Sequence, residues 1–289
     1  MRKLFVLTAV MPMLASFAAV AAPASLVENE YAFAQAVADH GIRDGFLMYL
    51  DKHAVTLTPL PADAYAIYSK RKPSSTKLSW YPSYALVSAS GDFGVDTGPW
   101  RADWTQDGKQ QDGHGDWLTI WQRDKDGRWH ALFDGGVEHA PAAQPAAAMA
   151  KDTKVPQLSA GPAMEREAAL GGLAQAESAF SAAAGKGSPR AAYAAQAADD
   201  LHLFRDGSAT VIGKAAVLQA ASAQPESIQR IPSGSGAAGS ADLGYVYGMT
   251  YQAKDAAHSQ PLGGYMHVWR RDLGQWKLLM DLELPVAPR

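Results

Sequence analysis

Apolar residues recur at three- and four-residue steps through Tyr31, Ala34, Val37, Ala38 and Ile42, which predicts a helix with one buried face. Gly41 interrupts the run, and Asp44 to Leu50, bearing Phe46, Leu47 and Leu50, predicts a second short helical segment. Beyond it the period shortens to two. Residues 54–58 are short and β-branched, and 81–88 and 93–97 flank Ser90-Gly91-Asp92 as a predicted hairpin. Residues 116–123 and 129–134 are joined by Asp124-Lys125-Asp126-Gly127, and an Asp-Gly pair between alternating runs is a strong hairpin signal. On the strand 116–123, Trp117, Thr119 and Trp121 share one face and Leu118 and Ile120 the other. With both faces apolar, one is expected to fill the inside of the domain and the other to pack on a neighbour. Helices first and antiparallel strands afterwards is an α+β order.

The pattern then occurs again. Glu30 and Phe33 answer Glu177 and Phe180, and Ser90-Gly91-Asp92-Phe93-Gly94 answers Ser240-Ala241-Asp242-Leu243-Gly244. Trp121 answers Trp269, Trp129 answers Trp276, and Asp134 answers Asp281, all at offsets of 147 to 150 residues. Five matches in order, with so little drift, predict a duplication: domains at 26–139 and 164–286, separated by an Ala/Pro-rich linker at 140–163. The second copy shortens the last turn to Asp272-Leu273-Gly274-Gln275, and its glycine-serine stretch 233–240 reads as a flexible loop.

Composition narrows the class. At 47% hydrophobic and 19% charged, the 289-residue chain has enough apolar matter for two cores. A formal charge of −3, with no basic run beyond Lys70-Arg71-Lys72, points away from nucleic acid. Arg2 and Lys3, the apolar stretch 4–20 and Ala19-Val20-Ala21 predict a signal peptide cleaved after Ala21 and a periplasmic or secreted protein with no membrane contact afterwards. With no cysteine, stability must come from packing and not from disulfides.

Gly91-Asp92-Phe93-Gly94, Gly98, Gly115, Trp121, Arg123, Gly127, Trp129 and Asp134 carry a family resemblance. So do Asp242, Leu243, Gly244, Gly248, Gly264, Trp269, Arg271, Gly274, Trp276 and Asp281. Both sets resemble the nuclear transport factor 2-like superfamily, especially its ketosteroid-isomerase-like or SnoaL-like bacterial domains. The resemblance implies two tandem cone-shaped domains, each with N-terminal helices on a curved antiparallel sheet around a pocket. It also implies sheet-to-sheet pairing, here an intramolecular pseudo-dimer of the two copies. It does not imply a function, because the superfamily holds isomerases, dehydratases, cyclases and proteins without chemistry.

Asp134 and Asp281 each lie five residues after the hairpin tryptophan. A carboxylate facing an apolar pocket acquires a raised pKa and can act as a general base, whereas one bonded to backbone amides or an arginine is structural. For Asp134, Tyr84 or His130 is the expected donor. Asp92 and Asp242, in hairpin turns, are expected to cap local amides. Trp80, Tyr84, Trp100, Trp117, Trp121 and His130 are the candidate ligand contacts of the first copy, and the second lacks counterparts of Trp80, Trp100 and Trp117. The histidines never take a metal-binding spacing, so no metal site and no cofactor is expected. The leading expectation is non-catalytic binding of a small apolar or aromatic ligand in the first domain. The alternatives are an isomerase, dehydratase or cyclase using Asp134, and a protein-interaction scaffold.

Overall fold

The computed structural model describes residues 25–159, 161, 164–224, 227–255 and 257–286; the predicted signal peptide lies outside them. The first copy begins with α1 (Leu26–Tyr49). Ser25 caps it reciprocally, its hydroxyl accepting from the Glu28 amide at 3.2 Å while the Glu28 carboxylate accepts from the Ser25 amide at 2.8 Å. Gly41, at φ 82°, supplies the left-handed residue that kinks the helix. The buried face is centred on Leu26, Glu30, Phe33 and Val37, a step round from the one expected, and Ala38 is exposed.

Then come β1 (Leu50–Leu57), β2 (Pro61–Asp63), α2 (Ala64–Lys70), β3 (Lys77–Trp80), β4 (Tyr84–Val87), β5 (Phe93–Gln106), β6 (Lys109–Arg123) and β7 (Trp129–Glu138). The second copy has α3 (Arg166–Lys186), α4 (Pro189–Gln196), β8 (Ala197–Arg205), β9 (Ser208–Ile212), α5 (Lys214–Ala220), β10 (Ile228–Ala237), β11 (Leu243–Gln252), β12 (Pro261–Asp272) and β13 (Gln275–Pro285). The sheets run β2-β1-β7-β6-β5-β3, with β4 also on β5, and β9-β8-β13-β12-β11-β10. They have the same order, so the α+β expectation holds in both copies. The sheets are antiparallel except where β1 joins β7 and β8 joins β13 in parallel. The segment 233–240, expected to be a loop, is mostly strand: β10 pairs with β11 as far as Ala237 opposite Gly244. Small residues there yield to the backbone ladder because a whole neighbouring strand is available to pair with.

The two faces of each sheet have different duties. One packs on the helices of its own copy, through Phe33, Phe46 and Trp121 in the first and Phe180, Tyr193 and Trp269 in the second. The other faces its counterpart: Phe93, Val95, Leu118, Ile120 and Phe133 share one cluster with Leu243, Met266, Val268, Met280 and Leu282. At the edge of this contact the repeated turns meet reciprocally. The Ala89 amide donates to Asp242 Oδ2 at 2.9 Å and the Gly239 amide to Asp92 Oδ2 at 3.0 Å. The Ser90 and Ser240 amides each donate to the other's hydroxyl at 3.1 Å. Asp92 and Asp242 therefore reach across to the opposite copy's amides, a contact with isologous geometry. The linker is not loose either: Leu158 and Met149 amides bond to Val87 and Pro82 carbonyls, along the flank of β4.

Candidate functional site

A cavity of about 220 Å³ lies between α1, α2 and the concave face of the first sheet. Phe46 comes from α1, Tyr68 from α2, Leu78 and Trp80 from β3, Trp100 from β5, Trp117 from β6, and Asp134, Gly135 and Gly136 from β7. The Phe46 and Tyr68 rings stack with centroids 4.2 Å apart. The Trp100 indole is fixed by its N–H to the Val137 carbonyl at 3.2 Å. Gly136 leaves the space open, and a Cβ there would stand 2.4 Å from the Asp116 carbonyl oxygen.

Three carboxyls gather behind these rings. Asp134 accepts a 2.8 Å hydrogen bond from the Thr119 hydroxyl. It keeps some accessible surface because it lines the cavity, yet burial pushes it up to about 7, against the lowering effect of that bond. Glu30 and Asp96 are fully buried. Burial, opposed by the Trp80 N–H bond and reinforced by Asp134, pushes Glu30 up to about 8; burial and the Glu30 charge hold Asp96 well above the usual range. Trp80 Nε1 donates to Glu30, and Trp121 Nε1 donates to Asp96 at 2.9 Å. The charge of one carboxyl disfavours charge on the other. Among the described residues, no lysine, arginine or histidine forms an ion pair with Glu30, Asp96 or Asp134.

The structure thus brings Trp80, Trp100, Trp117 and Asp134 together at one cavity. Trp121 stands deeper, holding Asp96. Tyr84 faces the second copy, its hydroxyl donating to Asp200 at 3.3 Å, because β4 presents that side chain to the sheet-to-sheet contact. His130 sits beside the last hairpin turn, 3.0 Å from Asp124. Neither reaches Asp134, whose observed donor is Thr119. The residues that the sequence reading missed are Glu30, Asp96 and Tyr68. Glu30 had a visible signal: it stands on the apolar stripe of Leu26, Phe33 and Val37, where a carboxylate costs stability unless bonded.

The same register positions in the second copy hold other chemistry. Arg230 stands for Trp80, Thr250 for Trp100, Tyr265 for Trp117, His267 for Thr119 and Glu283 for Gly136. His267 lies 2.9 Å from Glu177 and 3.6 Å from Asp281. Arg205 is 2.8 Å from Asp281, and Arg230 is 2.7 Å from Glu283. Despite burial, those cations hold Asp281 well below the carboxylate range, and Glu177 and Asp281 push His267 up to about 9. His267, Asp281 and Glu283 have potential metal-ligand atoms within 4.8 Å of one another. Arg205 and Arg230 already neutralise those carboxylates, so the group fits an ion cluster better than a metal centre.

No family model and no curated protein matches the chain. Solved structures do. An NTF2-like protein of unknown function from Pseudomonas putida KT2440 is 19% identical, with a TM-score of 0.33, over 40% of this chain and 86% of that one. The S. rosetta CaMKII hub is 16% identical, with a TM-score of 0.32, over 40% and 99%. A cystatin-like-fold protein of unknown function from Nostoc punctiforme is 16% identical, with a TM-score of 0.32, over 40% and 90%. The architecture itself matches what the residue resemblance implied: two tandem α+β domains with curved sheets behind their helices.

Proposed function

We propose that the first copy binds a small, largely apolar or aromatic molecule in its cavity, and that the second copy is its structural counterpart. The observation that carries this reading is the convergence of five aromatic rings and one carboxyl on a cavity of about 220 Å³, where the second copy places an ion cluster. A few polar groups set among aromatic walls are the usual build of a small-molecule site. The amino-terminal segment, with its basic start, apolar stretch and Ala19-Val20-Ala21, supports export, and with it a ligand met outside the cytoplasm. A thermal-shift and native mass-spectrometry screen of aromatic compounds tests the reading. Stabilisation by a subset of them, lost in Trp100→Ala, is expected; no stabilisation by any compound overturns it.

A second reading is favoured by one observation. Asp134, at about 7, is poised to take or give a proton near neutral pH, and it borders the cavity with no arginine paired to it among the described residues. In this reading Asp134 abstracts a proton beside a carbonyl or leaving group in an isomerase or dehydratase reaction. Exchange of carbon-bound hydrogen in deuterated water, catalysed by the native chain and abolished in Asp134→Asn, is its test. Binding without any exchange leaves the first reading alone.

A further inference from the structure

We propose that the ligand of the first cavity is a small organic cation, a quaternary ammonium or a protonated amine. This rests on the reading of that cavity as a ligand site and names its chemical class.

The walls are the first reason. Phe46, Tyr68, Trp80, Trp100 and Trp117 surround the space, and aromatic faces attract cations through their quadrupole, most strongly where water is excluded. Methylated ammonium groups match such walls because their surface is apolar while their charge is not. The volume equals that of roughly seven water molecules, which accommodates a compact headgroup.

The second reason is an unbalanced charge. Three acids lie at or just behind the cavity with no ion-pair partner among the described residues, whereas in the second copy His267 pairs with Glu177, the counterpart of Glu30, and Arg205 with Asp281, the counterpart of Asp134. A buried carboxylate without a cation costs several kcal/mol and escapes the cost by taking up a proton. A cation entering the cavity supplies the missing charge, and Asp134 then gives up its proton to solvent. Asp134 faces Glu30 from α1, Tyr68 from α2 and Asp96 from β5, none of them cationic. Arg71, exposed at the end of α2, lies against the Tyr68 ring with its guanidinium 5.8 Å from the centroid. Binding should therefore be coupled to proton release, which a neutral ligand would not produce.

Calorimetric titration of the full chain with choline, tetramethylammonium and the neutral carbon analogue 3,3-dimethylbutan-1-ol tests this. Choline or tetramethylammonium is expected to bind about tenfold more weakly at pH 6 than at pH 8, given Asp134 at about 7. The heat should depend on the buffer's ionisation enthalpy, and the alcohol should bind at least tenfold more weakly than choline at pH 8. Asp134→Asn should remove the pH dependence. Trp100→Leu, which leaves every carboxyl in place, should weaken choline more than the alcohol, so the test survives if the first variant does not fold. An alcohol that binds as tightly as choline, with no proton release, overturns the cation assignment and leaves the ligand site standing. No binding by any of the three, together with a negative aromatic screen, removes the site itself.

Discussion

Glu30 and Glu177 occupy one buried position of the repeat, and Asp134 and Asp281 another, where Asp281 is buried and Asp134 borders the cavity. Their surroundings are opposed. In the second copy each acid meets a cation: His267 touches both, and Arg205 closes on Asp281. In the first, the Trp80 indole and the Thr119 hydroxyl stand at the positions of Arg230 and His267, and Gly136 with the cavity beside it stands where Glu283 would be. Acids at shared positions are therefore scaffold in one copy and available chemistry in the other. Position in the fold does not decide the role; the neighbouring charge does.

The largest effect that separates the two should come from removing a cation. Arg205→Ala leaves Asp281 buried with one partner fewer and is expected to cost about 3 kcal/mol or more in chemical denaturation. Glu30→Gln removes an acid that lacks an ion pair, and should be near neutral or stabilising at pH 8. Equal losses from both would show that the first copy's acids are as well compensated as the second's.

Titration should separate them next. Asp134 and Glu30 fold with values of about 7 and about 8, above their ordinary 3.8 and 4.5, so the folded chain holds the extra protons. Stability from this source is greatest at low pH and falls as pH rises from about 4 through 8. His267, at about 9 against 6.5, contributes stability that is complete below 6.5 and lost as pH rises through 9. Urea midpoints at pH 5, 7 and 9 should fall in both windows, with Asp134→Asn flattening the first and His267→Gln the second. A profile that neither variant changes would place the titration elsewhere.

A smaller effect concerns what the copies share. Asp92→Ala and Asp242→Ala remove matched bonds across the sheet-to-sheet contact. Each should cost about 1.5–2 kcal/mol, and the two losses should agree. Unequal losses would mean that the reciprocal geometry is not energetically symmetric. The least effect is expected from His130→Ala, whose half-exposed ring bonds the turn carboxylate Asp124. Its stability should change by about 0.5 kcal/mol or less, with ligand binding in the cavity unaltered; a binding loss would return His130 to the site.

Much of this fold could be read locally. Gly41, the Ser90-Gly91-Asp92 turn and the Asp126-Gly127 turn each need only neighbouring residues to declare themselves, the first marking a kink and the other two marking strand ends. The parallel joint of β1 with β7 leaves no local trace, because its partners lie some 80 residues apart and its sequence reads like any short strand. The site divides in the same way. Trp80, Trp100, Trp117 and Asp134 stood out by residue type and by their absence or repetition in the second copy. The Glu30–Asp96 pair arises only when a helix from the start of the domain lies across its central strand, which no spacing rule encodes. Tyr84 looked equivalent to the other aromatics, but strand alternation turns it to the opposite face.

The reciprocal Ser-Asp turns have one further consequence. In two separate identical chains joined this way, any substitution that fills one cavity with arginine and glutamate fills both, so the number of sites per assembly is two or none. Within a single chain that constraint is lifted: each half drifts under its own demands while the joint between them stays matched. The stoichiometry this predicts is one ligand for two domains.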